Sequence, residues 1–97
     1  MKQTSIANRL SMLSYFRNQE VLVYILGYDY EYIRARVVNY NKGINGKWYC
    51  KFVSSSGDFY TYRVDNIVII RSSKKDVRVL DFIKLGRSKV REILSHA

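Results

Sequence analysis

The chain has 97 residues, 47% of them apolar, and carries 17 basic against 8 acidic side chains, a net charge of +9. That length holds one small domain, residues 1–97, with a thin core and no room for two independent modules. The charge favours a polyanionic partner, nucleic acid first and an acidic protein or membrane surface after it, and the longest aliphatic run, residues 67–70, is far too short to span a bilayer.

Cys50 is the single cysteine, so no internal disulfide can form, and the opening MKQTSIANRLSMLSY contains no apolar leader segment. Both features point to a soluble protein of a reducing, cytoplasmic compartment. At an inward strand position Cys50 reads as a small core residue rather than a nucleophile.

In chain order, Ile6, Leu10, Leu13 and Phe16 recur at helical spacing and predict an amphipathic helix over 4–19, with Thr4 or Ser5 as N-cap. Residues 21–26 predict a first strand, 27–29 a turn and 30–40 a long second strand. Ile33, Ala35 and Val37 share the core face of that strand, so alternation puts Tyr32, Arg34, Arg36, Val38 and Tyr40 on the other. Residues 41–46, rich in Asn and Gly, read as a loop.

Residues 47–70 predict a hairpin and a final strand. Trp48, Cys50 and Phe52 face inward while Lys47, Tyr49 and Lys51 face outward, and residues 54–58 supply the small polar side chains and the glycine of a turn. On the return strand Tyr60, Tyr62 and Val64 point in, and Thr61, Arg63 and Asp65 point out. A short turn at 64–67 precedes a last strand over 67–70. Five strands within residues 21–70 suit a small SH3-like or Sm-like β-barrel, so the expected class is mainly β with flanking helices.

Ser73 and Asp76 stand at capping-box spacing ahead of Val77, Val79, Leu80, Phe82 and Ile83, which predicts a helix; Gly86 interrupts it, and Ser88 caps a second short helix carrying Val90, Ile93 and Leu94. From Arg71 onward the chain holds eight basic and three acidic residues, so segment 73–97 is expected to be basic and helical.

Catalytic signals are nearly absent. His96 is the sole histidine, and there is no cysteine pair at metal-ligand spacing and no glycine-rich phosphate loop, so neither an enzyme nor a metal or cofactor is expected. The positive signal is the outward set of Arg34 and Arg36, Tyr49 and Lys51, and Arg63, with Tyr32 and Tyr40 beside them. On neighbouring strands these make one basic, aromatic surface on which tyrosines stack bases while arginines hold phosphates, as in single-stranded nucleic-acid recognition. Lys74, Lys75 and Arg78 are candidates to extend it. The alternative role for the same residues is cross-strand aromatic and cation–π packing that stabilises the sheet alone.

Three segments carry a family resemblance. Arg36-Val37-Val38-Asn39-Tyr40, Trp48-Tyr49-Cys50 and Tyr60-Thr61-Tyr62-Arg63-Val64-Asp65-Asn66-Ile67 resemble, in order and approximate spacing, the Arg-x-Val-x-Pro, Trp-Tyr-Leu and Arg-x-Phe-Arg-Leu-Asp-Arg-Ile segments of the WYL domain. That domain is an Sm-like/SH3-like barrel of bacterial transcription regulators and of CRISPR and phage-defence accessory proteins. The resemblance implies a site for nucleic acid or nucleotide-like effectors at Arg36 and Arg63, with Tyr49 beside them. Tyr60 and Asn66 stand where the family has arginines, Tyr40 replaces its proline and Cys50 its leucine; a stand-alone module without the family's winged helix is implied.

Two other readings use the same residues. An N-terminal helix before five bent strands is also the plan of RNA-binding Sm rings, which would make the chain a homo-oligomer. A Tudor or SH3-like protein-interaction module would use Tyr28, Tyr30, Tyr32 and Tyr49 as an aromatic groove. The proline-free, Tyr/Asn/Ile/Lys-rich composition suits a small phage or mobile-element protein that modulates a host protein.

Overall fold

The computed structural model describes residues 5–26, 30–73, 75–80 and 86–95. Thr4, the expected turn at 27–29, Phe82, Ile83 and His96 lie outside the described residues, as do the side chains of Ile93 and Leu94. Helix α1 spans Ile6–Tyr15, and six strands follow: β1 (Glu20–Leu26), β2 (Tyr30–Lys42), β3 (Trp48–Val53), β4 (Phe59–Arg63), β5 (Ile67–Arg71) and β6 (Val77–Val79). A single 3-10 turn, Val64–Asn66, joins β4 to β5, and helix α2 spans Arg87–Ser95. The strands form one open antiparallel sheet in the order β4-β3-β2-β1-β5-β6. The mainly β class with flanking helices is as expected, but the sheet has six strands rather than five.

Ser5 caps α1 by accepting the Asn8 backbone N–H at 3.3 Å. The helix buries Leu13 and leads into the buried Phe16, whereas Ile6, expected on the same stripe, is 39% exposed. Arg9 takes the buried position instead, at 1% exposed. Its guanidinium Nη1 donates to the carbonyls of Val64 (2.9 Å), Asp65 (3.2 Å) and Ile67 (3.0 Å), the backbone of the 3-10 turn and the start of β5. A buried cation is tolerated where its donors are satisfied, and here those bonds fasten the helix to the sheet. After α1, Asn18 adopts φ 65°, a left-handed conformation that asparagine accepts more readily than most residues, and its N–H bonds to the Val37 carbonyl at 2.8 Å as the chain enters β1.

Beneath α1 the sheet presents Val21, Val23, Ile25, Ala35, Val37, Cys50, Phe52, Ile67 and Ile70, which pack with Leu13, Phe16, Val64 and Leu80 as the main core. The opposite face of β5 is apolar too: Val68 and Ile69 pack with Val90 of α2 and with Tyr24, Leu26, Val77 and Val79 in a second, smaller cluster. That two-sided burial explains the uninterrupted run Ile67–Ile70, since a strand covered on both faces needs no alternation. In the turn between β3 and β4, Gly57 takes φ 88° and the Ser54 N–H bonds to the Asp58 carbonyl at 2.9 Å, a closure whose left-handed residue favours glycine.

The segment expected to be helical from Ser73 is a β-hairpin instead. Ser73 Oγ does accept the Asp76 N–H at 3.1 Å, as a capping box requires, but Ser72 N–H bonds to the Asp76 carbonyl at 3.1 Å and the chain folds back so that Val77–Val79 pairs with β5. Branched valines at alternate positions, each partly buried, favour that pairing over a helix. The C-terminal helix opens where the Gly86 carbonyl receives the Val90 N–H at 3.1 Å, so Ser88 lies in its first turn rather than capping it. Among the described residues no helix is long and apolar enough to cross a membrane.

Replacing Arg9 by Met keeps most of the aliphatic bulk but deprives three carbonyls of that donor. In urea titrations Arg9→Met is expected to lower the unfolding free energy by about 3 kcal/mol or more, while Ile6→Ala changes it by less than about 0.5 kcal/mol.

Candidate functional site

The face of the sheet turned away from α1 is built by strand parity, interrupted at one place. Between Val37 and Asn39 the β2–β3 register shifts, a bulge that inserts Val38 as an extra residue. Before the bulge Arg34 and Arg36 point away from the core, as alternation requires. After it the parity is reversed, so Asn39 and Asn41 take the outer face and Tyr40 turns inward. Tyr40 pairs with Cys50, packs against the main core and meets Ser14 of α1 through its hydroxyl at 2.9 Å. The expectation that Tyr40 joins the outer surface is therefore corrected by the bulge.

On β3 and β4 the alternation is unbroken. Tyr49 stands opposite Arg63, Lys51 opposite Thr61 and Val53 opposite Phe59, and across β3 these align with Asn41, Asn39 and Arg36 of β2. The outer face thus carries three cross-strand rows: Arg36–Val53–Phe59, Asn39–Lys51–Thr61 and Asn41–Tyr49–Arg63. Four of the expected site residues, Arg36, Tyr49, Lys51 and Arg63, are brought together within it. Arg34 lies on the same face two residues before Arg36 on β2, opposite Leu22 of β1.

These side chains differ in what already holds them. Arg36 is exposed and has no partner among the described residues. Lys51 places its ammonium 4.5 Å from the centroid of the Phe59 ring, a cation–π contact open to water. Arg63 is partly covered and pairs with Asp65 at 3.2 Å, while its Nε–H is buried without an acceptor among the described residues. The Tyr49 hydroxyl accepts a bond from Asn45 at 2.8 Å, and its ring lies so close to Gly43 that a Cβ there would come within 3.0 Å. The 43–47 loop therefore sets the tilt of the Tyr49 ring. Arg34 pairs with Glu20 at 3.5 Å.

The C-terminal candidates fall elsewhere. Arg78 stands opposite Ile70, on the α1 side of the sheet, with its guanidinium 3.3 Å from Asp76 and 5.2 Å from the centroid of the Tyr15 ring. Lys75 is exposed in the turn between β5 and β6, and Lys74 lies outside the described residues, as do Tyr28 and the side chains of Tyr30 and Tyr32.

Two shallow cavities flank Glu20, and most of their lining was not among the expected site residues. One, of about 420 Å³, is bounded by Arg36, Val53, Ser54, Ser55 and Gly57. The other, of about 190 Å³, is bounded by Leu22, Arg34, Arg71, Ser72 and Ser73. Arg71 belongs to this face because the β1–β5 register shifts between Tyr24 and Ile25, which puts it opposite Leu22. Simple alternation from Ile67, a core residue, assigns it to the wrong side.

Cys50 lies wholly in the core, and burial pushes its thiol from an ordinary 9.0 up to about 12. The native protein thus keeps the proton where the unfolded chain has lost it, a contribution complete below pH 9 and lost as pH rises toward 12. The stability of the wild type relative to Cys50→Val should fall by about 1.4 kcal/mol per pH unit across that window, and a thiol reagent at neutral pH should label Cys50 only after unfolding. Comparison of the chain with family models, with curated proteins and with solved structures gives no match.

Proposed function

We propose that this chain is a non-catalytic binding module that captures single-stranded nucleic acid on the outer face of β2, β3 and β4. The observation that carries the reading is the set of rows on that face, where Arg36, Lys51 and Arg63 stand with Tyr49 on three adjacent strands and α2 packs over β5 and β6 instead. Phosphates would meet Arg36 and Lys51 first, because neither is paired with a carboxylate among the described residues. Arg63 would follow by exchanging Asp65 for a phosphate, and Tyr49 would offer its ring to a base. The net charge of +9 adds long-range attraction for the strand.

A WYL-type, SH3-like barrel is the finer form of this proposal. In its favour, β5 returns to pair with β1 at the far side of the β2-β3-β4 meander, the bulge bends the long β2, and the 3-10 turn between β4 and β5 touches both α1 and β3. The three WYL-like segments fall on β2, on β3 and on β4 through the 3-10 turn to the start of β5. That resemblance implies a role in transcription regulation or phage defence.

One observation favours a second reading, a protein-interaction module. Phe59 is 61% exposed and Tyr60 also faces solvent, both on β4, a strand at the edge of the sheet where an extended peptide could add. Salt separates the two, since phosphate contacts weaken steeply with ionic strength and an aromatic peptide groove changes little.

The test is fluorescence anisotropy of labelled single-stranded RNA, single-stranded DNA and duplex DNA over a range of salt. Preferential binding of the single strands is expected, and Arg36→Ala combined with Lys51→Ala should weaken it and reduce the salt slope by about 1.4, roughly 0.7 for each phosphate that is no longer neutralised. Unchanged affinity and slope in that folded double variant would remove the outer face as the site.

A further inference from the structure

The smaller cavity beside Glu20 has the makings of a socket for one tetrahedral anion. Arg34 of β2 and Arg71 of β5 both stand opposite Leu22 of β1, so their backbones are separated by two strand spacings, roughly 10 Å. Both guanidinium-bearing side chains line the same space from opposite sides. Arg71 is 8% exposed and held by further contacts within the fold, which fixes one wall of the cavity. Arg34 is a movable wall, 68% exposed, and its partner Glu20 is 56% exposed.

The hydroxyls at the rim are sorted by their own bonds. Ser72 donates its O–H to Asp76 at 3.1 Å. Ser73 Oγ instead accepts two backbone N–H bonds, from Lys75 at 3.3 Å and Asp76 at 3.1 Å, and its O–H has no acceptor among the described residues, which makes it available as a donor at the rim. Two planar cations and a hydroxyl donor approaching from different directions match an anion with oxygens on several sides better than a planar carboxylate, which a single guanidinium satisfies. At about 190 Å³ the space falls below the roughly 300–1,000 Å³ of pockets for drug-sized ligands and accommodates a small charged group rather than a whole base.

We infer that the cavity between Arg34 and Arg71 binds a phosphate monoester, with Ser73 as a third donor and Glu20 as a competing carboxylate that the phosphate displaces from Arg34. An exposed ion pair is weak, so the displacement costs little. A mononucleotide and the 5′ end of a strand both carry such a phosphate; the strand-end form rests on the proposed strand binding, whereas the mononucleotide form does not.

The experiment titrates the ¹⁵N-labelled protein with inorganic phosphate, adenosine monophosphate and adenosine at constant ionic strength. Phosphate and the monophosphate should shift the amides of Leu22, Ser72 and Ser73, and adenosine should not. Arg34→Gln should weaken binding on the order of tenfold, and Glu20→Gln should strengthen it up to about fivefold. Because Arg71 is buried, Arg71→Lys serves as its variant: folded by circular dichroism, it should bind more weakly through loss of the guanidinium fork. A 5′-phosphorylated strand should also bind more tightly than its 5′-hydroxyl counterpart, an advantage abolished by Arg34→Gln. Phosphate shifts without strand binding would keep the socket and overturn the strand reading. Strand binding with no phosphate response and no 5′-phosphate preference, or phosphate shifts that persist unchanged in Arg34→Gln, would overturn the socket.

Discussion

The buried guanidinium of Arg9 is the contact on which the arrangement of this protein turns. A cation taken out of water must be given acceptors, and Arg9 finds three of them in one short stretch of backbone, at Val64, Asp65 and Ile67. Those carbonyls belong to the chain's passage from β4, one edge of the sheet, to β5, on the far side of β1. By holding that passage against α1, the side chain closes the helix over the apolar face and commits Leu13 and Phe16 to the main core. The polar face is thereby left to the other side of the sheet.

Two irregularities then decide which side chains occupy that polar face. The bulge in β2 exchanges Tyr40 for Asn39 and Asn41, so that beyond the bulge β2 offers amides to the outer face, beside Tyr49 and Lys51 of β3. The shift between β1 and β5 brings Arg71 opposite Leu22 and into company with Arg34. Without either shift the same sequence would place its cations differently, because a displacement of one residue sends a strand's side chains to the other face. The ion pairs on the surface, Arg34 with Glu20 and Arg63 with Asp65, are partly solvated and exchangeable, unlike the bonds of Arg9.

Much of this is legible in the sequence, and the exceptions have physical causes. The strand over Trp48–Val53 is readable because it has one wet and one buried face, so period two is written into Cys50, Phe52 and Lys51; on Phe59–Arg63, where no residue is buried, the same period is carried by Tyr60 and Tyr62 alternating with Thr61 and Arg63. β6 is hidden because three residues are too few to establish a period, and because Ser73 and Asp76 make the same local bonds whether a helix or a hairpin turn follows. Arg9 escapes a search for apolar stripes since it is the most polar kind of residue, and its acceptors are backbone atoms more than fifty positions away. The outer position of Arg36, Tyr49, Lys51 and Arg63 follows from alternation alone, whereas the fate of Tyr40 and Arg71 depends on bulges that composition does not announce.

In the proposed mode of binding, a single strand lies across β2, β3 and β4 on the face opposite α1. The most direct test is amide chemical-shift mapping of the labelled protein with a short oligouridylate. The amides of Arg36, Lys51 and Thr61 should shift together, and those of Leu13, Phe16 and Val64 should stay in place. Shifts confined to α1 or to residues 87–95, or no shifts at low salt, would contradict it.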